Sequence, residues 1–223
     1  MVRRPVLALL LLVLALSAAP ASASALRSQD PVAPEESQPE APRSVALGKP
    51  WNGHLRNGVQ LPEAGPDFMS WDAILRVAPD RPERRWGTDA LVLILERVTR
   101  EYREAHPGAQ PVLIGDLSRP TGGYFGREFG GLGHASHQNG LDADVMYPRK
   151  DRLLRGAVRP SQVDRVLAQD LVNRFVAAGA QKVFVGPHVG LTGRRGVVSI
   201  LAYHDDHLHV RIPNPAGRPL PEG

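Results

Sequence analysis

The spacing of apolar residues predicts a helix over residues 88–106, TDALVLILERVTREYREAH. Apolar side chains recur every three or four positions from Leu91 to Tyr102, which places them on one face of a helix. Thr88 or Asp89 can cap the first turn, because a short side chain that carries oxygen accepts a hydrogen bond from a free backbone N–H group.

A second helix is predicted over residues 161–179, SQVDRVLAQDLVNRFVAAG. Ser161 and Asp164 form a capping pair at its start. Gly179 should end the helix, because glycine readily adopts the left-handed conformation in which helices commonly terminate.

Short apolar or alternating runs predict strands that cluster around these helices. The runs are residues 111–116, 141–147, 182–186, 197–203 and 207–212. Residues 117–136 form a long glycine-rich loop instead, and loops of this length usually serve a site. Two helices among short strands predict an α+β fold with a mostly antiparallel sheet.

The first 25 residues predict a secretory signal peptide. Arg3 and Arg4 form a basic head, an apolar run follows to about Leu16, and the small-residue motif ASA then occurs twice. A membrane anchor is the alternative, but the apolar run is short for a bilayer span. We therefore expect export without stable membrane insertion, to the periplasm of a cell with an outer membrane and otherwise to the cell wall or exterior.

The rest of the chain divides into three predicted parts. Residues 26–44 are rich in proline, glutamate and serine, which predicts a disordered linker. Residues 45–215 should form one folded domain, and residues 216–223 a short tail.

Composition excludes several classes of site. The chain has no cysteine, which excludes disulfides, thiolate zinc ligands and a cysteine nucleophile. The formal net charge is +4, and loss of Arg3 and Arg4 with the signal peptide would leave about +2. No stripe of basic residues interleaved with aromatics is present, so the sequence does not indicate nucleic-acid binding.

Two clusters of histidine and aspartate stand out. Near the C-terminus, His207 and His209 lie two apart on a predicted strand and therefore point to the same face. Upstream, His137 and Asp144 flank Gly140, at which the chain can turn. Five of the eight histidines fall in these two clusters, each next to a carboxylate.

This combination predicts a shared metal site, with a pH-responsive patch or a solvated polar surface as alternatives. Catalytic zinc takes three protein ligands and leaves one position for water, and His137, Asp144 and His209 would supply the three. His207 could then hold or deprotonate that water. A glycosidase pair of Asp142 and Asp144 is a weaker reading, because it leaves the histidines unexplained.

The sequence lacks the motifs of several other hydrolase and nucleotide-binding sites. It contains neither the H-E-x-x-H motif of thermolysin-type enzymes nor the G-x-S-x-G motif of a nucleophilic serine. It also lacks the lysine that follows a phosphate-binding glycine loop.

Three stretches resemble the penicillin-insensitive murein endopeptidases, within the zinc-peptidase group of lysostaphin, the D-alanyl-D-alanine peptidases and the hedgehog domain. They are LIGDLSRPTGG (113–123), GHASHQNGLDADV (133–145) and the pattern H-x-x-H-x-H-V-R that begins at His204. The resemblance covers roughly residues 85 to 212 and implies a hedgehog-like α+β fold.

The resemblance also implies a chemistry and a set of roles. One zinc ion per chain would be held by His137, Asp144 and His209, with a catalytic role for His207 beside it. His204 and His134 would lie close by. The implied reaction is hydrolysis of peptide cross-links in peptidoglycan, chiefly between D-Ala and meso-diaminopimelate.

Three further residues have predicted roles. Arg119, in LSRP, is a candidate for binding a substrate carboxylate. Asp205 and Asp206 could each hydrogen-bond a histidine ring or be a solvated turn residue, and a turn role is favoured for Asp205.

Two alternatives to an endopeptidase remain at this point. The first keeps the fold and changes the bond, as in a carboxypeptidase that acts on D-Ala-D-Ala. The second is an exported binding protein that uses zinc structurally, for which a closed four-ligand site would be expected.

Overall fold

A computed structural model describes residues 43–129, 131 and 133–215. The predicted signal peptide, most of the predicted linker and the predicted tail lie outside these residues. No helix among the described residues is both long and apolar enough to cross a bilayer.

The first helix confirms the prediction from apolar spacing. It is α1, Asp89–Ala105, and the Thr88 hydroxyl oxygen accepts a hydrogen bond from the Leu91 N–H at 3.2 Å. The Thr88 hydroxyl also donates to the carbonyl of Gly140, at 3.2 Å. One side chain therefore joins the start of α1 to the loop that precedes the predicted strand over 141–147.

The second helix begins later than predicted. It is α2, Arg165–Ala177, and the carboxylate of Asp164 caps it by accepting hydrogen bonds from the two N–H groups of Val166 and Leu167. The predicted capping role of Ser161 is wrong, because Ser161 lies in a separate 3-10 turn, Pro160–Gln162, and the chain extends at the next residue. The left-handed Gly179 follows the end of α2, as predicted.

The described residues form ten strands. In chain order they are β1 (Val45–Lys49), β2 (Asn52–Arg56), β3 (Val59–Gln60), β4 (Phe68–Ser70), β5 (Trp86–Gly87), β6 (Val112–Ile114), β7 (Asp142–Met146), β8 (Lys182–Val185), β9 (Val198–Ile200) and β10 (His207–Arg211). Six of them make the central sheet in the order β4-β6-β7-β10-β8-β9. The β4–β6 and β8–β9 pairs are parallel and the other pairs in this sheet are antiparallel, which confirms the predicted α+β fold.

The two faces of the central sheet have different roles. Val145, Leu208 and Val210 are fully buried and pack with the apolar faces of α1 and α2 in one core. Because side chains alternate along a strand, the neighbouring residues of β7 and β10 point to the opposite face. That face carries Asp144 and the histidines of β10.

The segment before α1 contains structure that the sequence patterns did not predict. Strands β1 and β2 form an antiparallel hairpin, β3 pairs with β5, and β4 adds an edge strand to the central sheet. These strands are only two to five residues long, which is too short for a clear alternating pattern.

Candidate metal centre

The centre is built on the two middle strands of the sheet. Strands β7 and β10 pair antiparallel, and the register sets His209 opposite Asp144 and Arg211 opposite Asp142. His137 reaches the same place from the loop before β7. Its backbone is left-handed, with φ of 67°, and its N–H donates to the Asp142 carboxylate at 3.0 Å.

Three candidate ligand atoms lie in a small triangle. His137 Nε2 is 3.2 Å from His209 Nδ1, and each of these nitrogens is 3.3 Å from Asp144 Oδ1. A tetrahedral zinc ion bound at about 2.0–2.1 Å sets its ligand atoms about 3.3–3.4 Å apart. The triangle therefore has the dimensions of one face of a zinc coordination tetrahedron.

Asp144 provides an independent test of whether a cation fits. Its Oδ1 is buried and accepts no hydrogen bond from any described residue. A buried carboxylate oxygen without a partner is costly, and a cation would satisfy it. The donor set of two imidazoles and one carboxylate is also that of catalytic zinc.

His134 lies at the edge of the same centre. Its candidate ligand atom and those of His137 and Asp144 all lie within 4.8 Å of one another, so these three residues could also hold a metal ion. His134 Nδ1 is 3.7 Å from Asp144 Oδ2, and its other ring nitrogen, Nε2, lies 2.7 Å from Asp116.

Neighbouring acceptors fix the orientation of the two innermost histidines. His137 Nδ1 donates to the carbonyl of Leu117 at 2.5 Å, and His209 Nε2 lies 3.1 Å from the Asp142 carboxylate. Arg211 in turn donates to Asp142 at 2.6 Å. One nitrogen of each ring is thereby held, and the other faces the triangle as a metal ligand requires.

The charges of the centre depend strongly on burial. Burial lowers the pKa of His137, which favours the neutral imidazole. Burial alone would raise the pKa of Asp144, but the nearby His207 and His137 hold it well below its usual range. Burial would lower the pKa of His209, yet its hydrogen bond to Asp142 and the nearby Asp144 carboxylate raise it to about 9.

His204 and His207 line the mouth of the centre. His207 Nδ1 lies 2.7 Å from the Asp206 carboxylate, which leaves Nε2 free at 3.6 Å from Asp144 Oδ1. His204 Nδ1 donates to the carbonyl of Ala202 at 2.7 Å, and its ring centroid is 4.8 Å from that of His207. The structure thus brings together all six predicted histidine and aspartate site residues.

A buried ion pair of Arg84 and Asp116 holds the His134 ring through its Nε2 atom. Burial would raise the pKa of Asp116, but hydrogen bonds from Arg84 and His134 lower it. Arg84 donates to both carboxylate oxygens of Asp116, its Nε at 2.5 Å, and is itself only 2% exposed. The sequence reasoning gave Asp116 and Arg84 no role. Asp116 is the last residue of the predicted strand over 111–116 and could have been suspected from that position.

Two further predicted residues, Arg119 and Asp205, make their contacts outside the triangle. The Arg119 guanidinium stacks on Phe129 at 4.2 Å and donates to the carbonyl of Tyr124 at 3.0 Å. Asp205 lies in a bend, but the favoured solvated role is wrong, because its carboxylate lies 2.6 Å from Nδ1 of the His188 ring and accepts a hydrogen bond from the His188 N–H at 2.9 Å.

Comparison with known proteins gives one consistent result. The family model for penicillin-insensitive murein endopeptidases matches residues 46–191. A penicillin-insensitive murein endopeptidase of Pectobacterium atrosepticum is 31% identical over 208 residues, which cover 82% of this chain and 69% of the relative.

Two further relatives with the same description agree with this result. One, from Klebsiella pneumoniae, is 26% identical over 81% of this chain and 70% of its own length. The other, from Yersinia enterocolitica, is 27% identical over 80% of this chain and 69% of its own length. The residues matched by the family model include His134, His137 and Asp144.

Proposed function

Since the chain belongs to the penicillin-insensitive murein endopeptidase family, we propose that it is an exported, zinc-dependent enzyme that hydrolyses D-Ala–meso-diaminopimelate cross-links of peptidoglycan. The observation that carries the zinc dependence is the 3.2–3.3 Å triangle of His137 Nε2, His209 Nδ1 and the unpartnered Asp144 Oδ1. Export rests on the predicted signal peptide.

We assign the ligands to His137, Asp144 and His209 rather than to a set that includes His134. The triangle has edges of 3.2–3.3 Å, whereas His134 Nδ1 lies 3.7 Å from Asp144 Oδ2. His134 is also tied to Asp116 at 2.7 Å. When bound, zinc would polarise the scissile carbonyl and make a water molecule acidic enough to attack it at neutral pH.

His207 is the proposed general base. Asp206 holds its Nδ1, so the imidazole presents Nε2 to the centre and can accept a proton there. Burial would lower the pKa of His207, but the carboxylates of Asp144 and Asp206 raise it. A base held by a carboxylate in this way keeps one tautomer and one orientation.

Two histidines, His134 and His204, remain as candidates for the proton donor, and we assign this role to His134. Asp116 holds its Nε2 at 2.7 Å, which leaves Nδ1 on the side of Asp144, where it could donate a proton to the leaving amine. Burial and the neighbouring His207 lower the pKa of His204, which disfavours its charged form. His204 would instead contact the substrate beside His207.

A structural zinc site in a binding protein is the alternative from the sequence. It would need no histidines beyond its ligands, whereas His204 and His207 each have one ring nitrogen held and the other facing the mouth of the centre. This arrangement supports catalysis over a structural role.

Two substitutions separate metal binding from catalysis. Asp144→Ala should lose both zinc and turnover, because it removes the carboxylate that joins the two imidazoles. His207→Ala should retain one zinc per chain and lose turnover of cross-linked muropeptides by at least about 100-fold, the usual contribution of a general base.

Metal content by mass spectrometry and turnover by chromatography check both results. His106→Gln, at the end of α1 and away from the centre, serves as the control and should keep both properties. Near-normal turnover in His207→Ala, or zinc retained in Asp144→Ala, would contradict these assignments.

A further inference from the structure

A cavity of about 230 Å³ opens beside the metal centre. We call it the arginine cavity and define it by Trp71, Arg76, Met146, Arg149, Arg155 and Asp206, which line it. None of the roles assigned above uses its three arginines.

The arginine cavity is continuous with the centre along the sheet. Met146 and Asp144 lie two apart on β7 and point to the same face, which separates them by about 7 Å. Met146 is also the register partner of His207 in β10. Asp206 links the two sites directly, because it lines the cavity and holds the His207 ring at 2.7 Å.

One of the three arginines is already neutralised. Arg149 is 4% exposed, donates its Nε to Asp151 at 2.7 Å, and reaches the carbonyl of Gly156 at 3.4 Å. Arg149 therefore closes the loop of residues 149–156, which forms one wall of the arginine cavity. A Cβ at Gly156 would lie 3.1 Å from the Trp71 indole nitrogen, so a larger side chain there would press on the cavity wall.

The other two arginines remain available to a ligand. The side chains of Arg76 and Arg155 are exposed, and neither forms a hydrogen bond or a salt bridge with any described residue, although the charge of Arg155 also acts on the Asp151 carboxylate. Guanidinium groups bind carboxylates with two parallel hydrogen bonds, so an unpaired arginine in a cavity favours an anionic ligand.

Two further observations indicate a built site. Trp71 is only 7% exposed, yet its indole N–H donates to no described residue, although a buried tryptophan usually finds an acceptor. Arg76 has a left-handed backbone with φ of 57°, held in a turn in which its N–H donates to the carbonyl of Asp72 at 2.8 Å. Strained backbone of this kind is concentrated at functional sites.

We propose that the arginine cavity binds a free carboxylate of a murein stem peptide whose scissile amide lies at the metal centre, and thereby adds to substrate affinity. The inference rests on the proposed function, because it takes peptidoglycan as the substrate. Arg76 and Arg155 would supply the charge and Trp71 one neutral donor. The apolar surfaces of Trp71 and Met146 would contact the aliphatic part of the peptide. The cavity would thus select stem peptides that carry a free acid over amidated ones.

The test compares two substrates and two double variants of the full chain. The substrates are a cross-linked muropeptide dimer with free carboxylates and the same dimer with its carboxylates amidated. Arg76→Gln combined with Arg155→Gln should raise KM for the free-acid dimer about tenfold, the cost of roughly one charge-assisted hydrogen bond, with kcat nearly unchanged. The wild-type chain should show a similar rise in KM on the amidated dimer, and the variant no further rise.

The matched control removes two positive charges elsewhere. Arg97→Gln combined with Arg100→Gln changes two exposed arginines of α1, on the other side of the sheet, and should leave KM for both dimers unchanged. An unchanged KM in the cavity variant, or an equal rise in the control variant, would overturn the proposal.

The experiment distinguishes an error in the proposed function from an error in the proposal that the arginine cavity binds a carboxylate. If the wild-type chain cleaves neither dimer, the proposed function fails, and calorimetric titration with the free-acid and amidated stem tetrapeptides then tests the cavity alone. Tighter binding of the free-acid peptide that disappears in the cavity variant supports the site. Equal binding of the two peptides by the wild-type chain rules it out.

Discussion

At the scale of single residues, the orientation of each histidine depends on an acceptor that lies outside the ligand triangle. Asp142 holds His209, which is a proposed ligand, whereas Asp116 holds His134, which is a proposed proton donor. The two aspartates make similar contacts but support different steps, so their substitution should have separable effects.

Asp142→Asn should weaken zinc binding by about 10–100-fold, the usual cost of losing a carboxylate behind a metal-bound histidine. Asp116→Asn should instead lower turnover by a similar factor and leave zinc affinity nearly unchanged. Zinc titration against a competing chelator, together with turnover at saturating zinc, measures both quantities. Equal loss of zinc affinity in the two variants would place His134 among the ligands.

Zinc affinity should rise with pH because of His209. The metal-free protein holds this ring as an imidazolium, since Asp142 and Asp144 raise its pKa to about 9. Zinc needs the neutral ring, so binding below that pKa must release about one proton, and affinity should fall about tenfold per pH unit as the pH drops. Calorimetry at pH 7 in buffers of different ionisation enthalpy measures the proton, and binding without proton release would contradict the assignment of His209 as a ligand.

At the scale of elements, Thr88 joins α1 to the loop that carries His137. Its oxygen caps the helix, and both its N–H and its hydroxyl donate to the carbonyl of Gly140, three residues after His137. The stability of α1 and the placement of a ligand loop therefore share one side chain.

Thr88→Ala should lower the free energy of unfolding by about 1–2 kcal/mol, because it removes the helix cap. Thr88→Ser retains the hydroxyl and should lower the free energy of unfolding much less. Chemical denaturation of the zinc-free protein measures the difference. Equal stability of the alanine and serine variants would show that the cap contributes little.

Element boundaries were predictable where apolar spacing was long and regular. Helix α1 and the strands β7 and β10 follow directly from their patterns, because each buries one face against the core. The start of α2 was misplaced because Ser161 and Asp164 are both good capping residues, and only the packing around the 3-10 turn selects Asp164.

At the scale of the whole molecule, the two histidine clusters meet because β7 and β10 are neighbours in the sheet. The sequence predicted that His137, Asp144 and His209 lie together, because two imidazoles and one carboxylate are a typical set of zinc ligands. It could not predict the arginine cavity. Trp71, Arg149 and Asp206 come from three distant segments, and only tertiary packing brings them together.

Digestion of purified cross-linked peptidoglycan by the full chain tests the central claim most directly, with the muropeptides identified by mass spectrometry. Three reactions are compared: the zinc-loaded chain, the chain with a chelator, and the chelated chain with zinc restored. We predict that dimers are converted to monomers by addition of one water at the D-Ala–meso-diaminopimelate bond in the first and third reactions only. Dimers that stay intact with a chain that holds one zinc ion would contradict the proposed function.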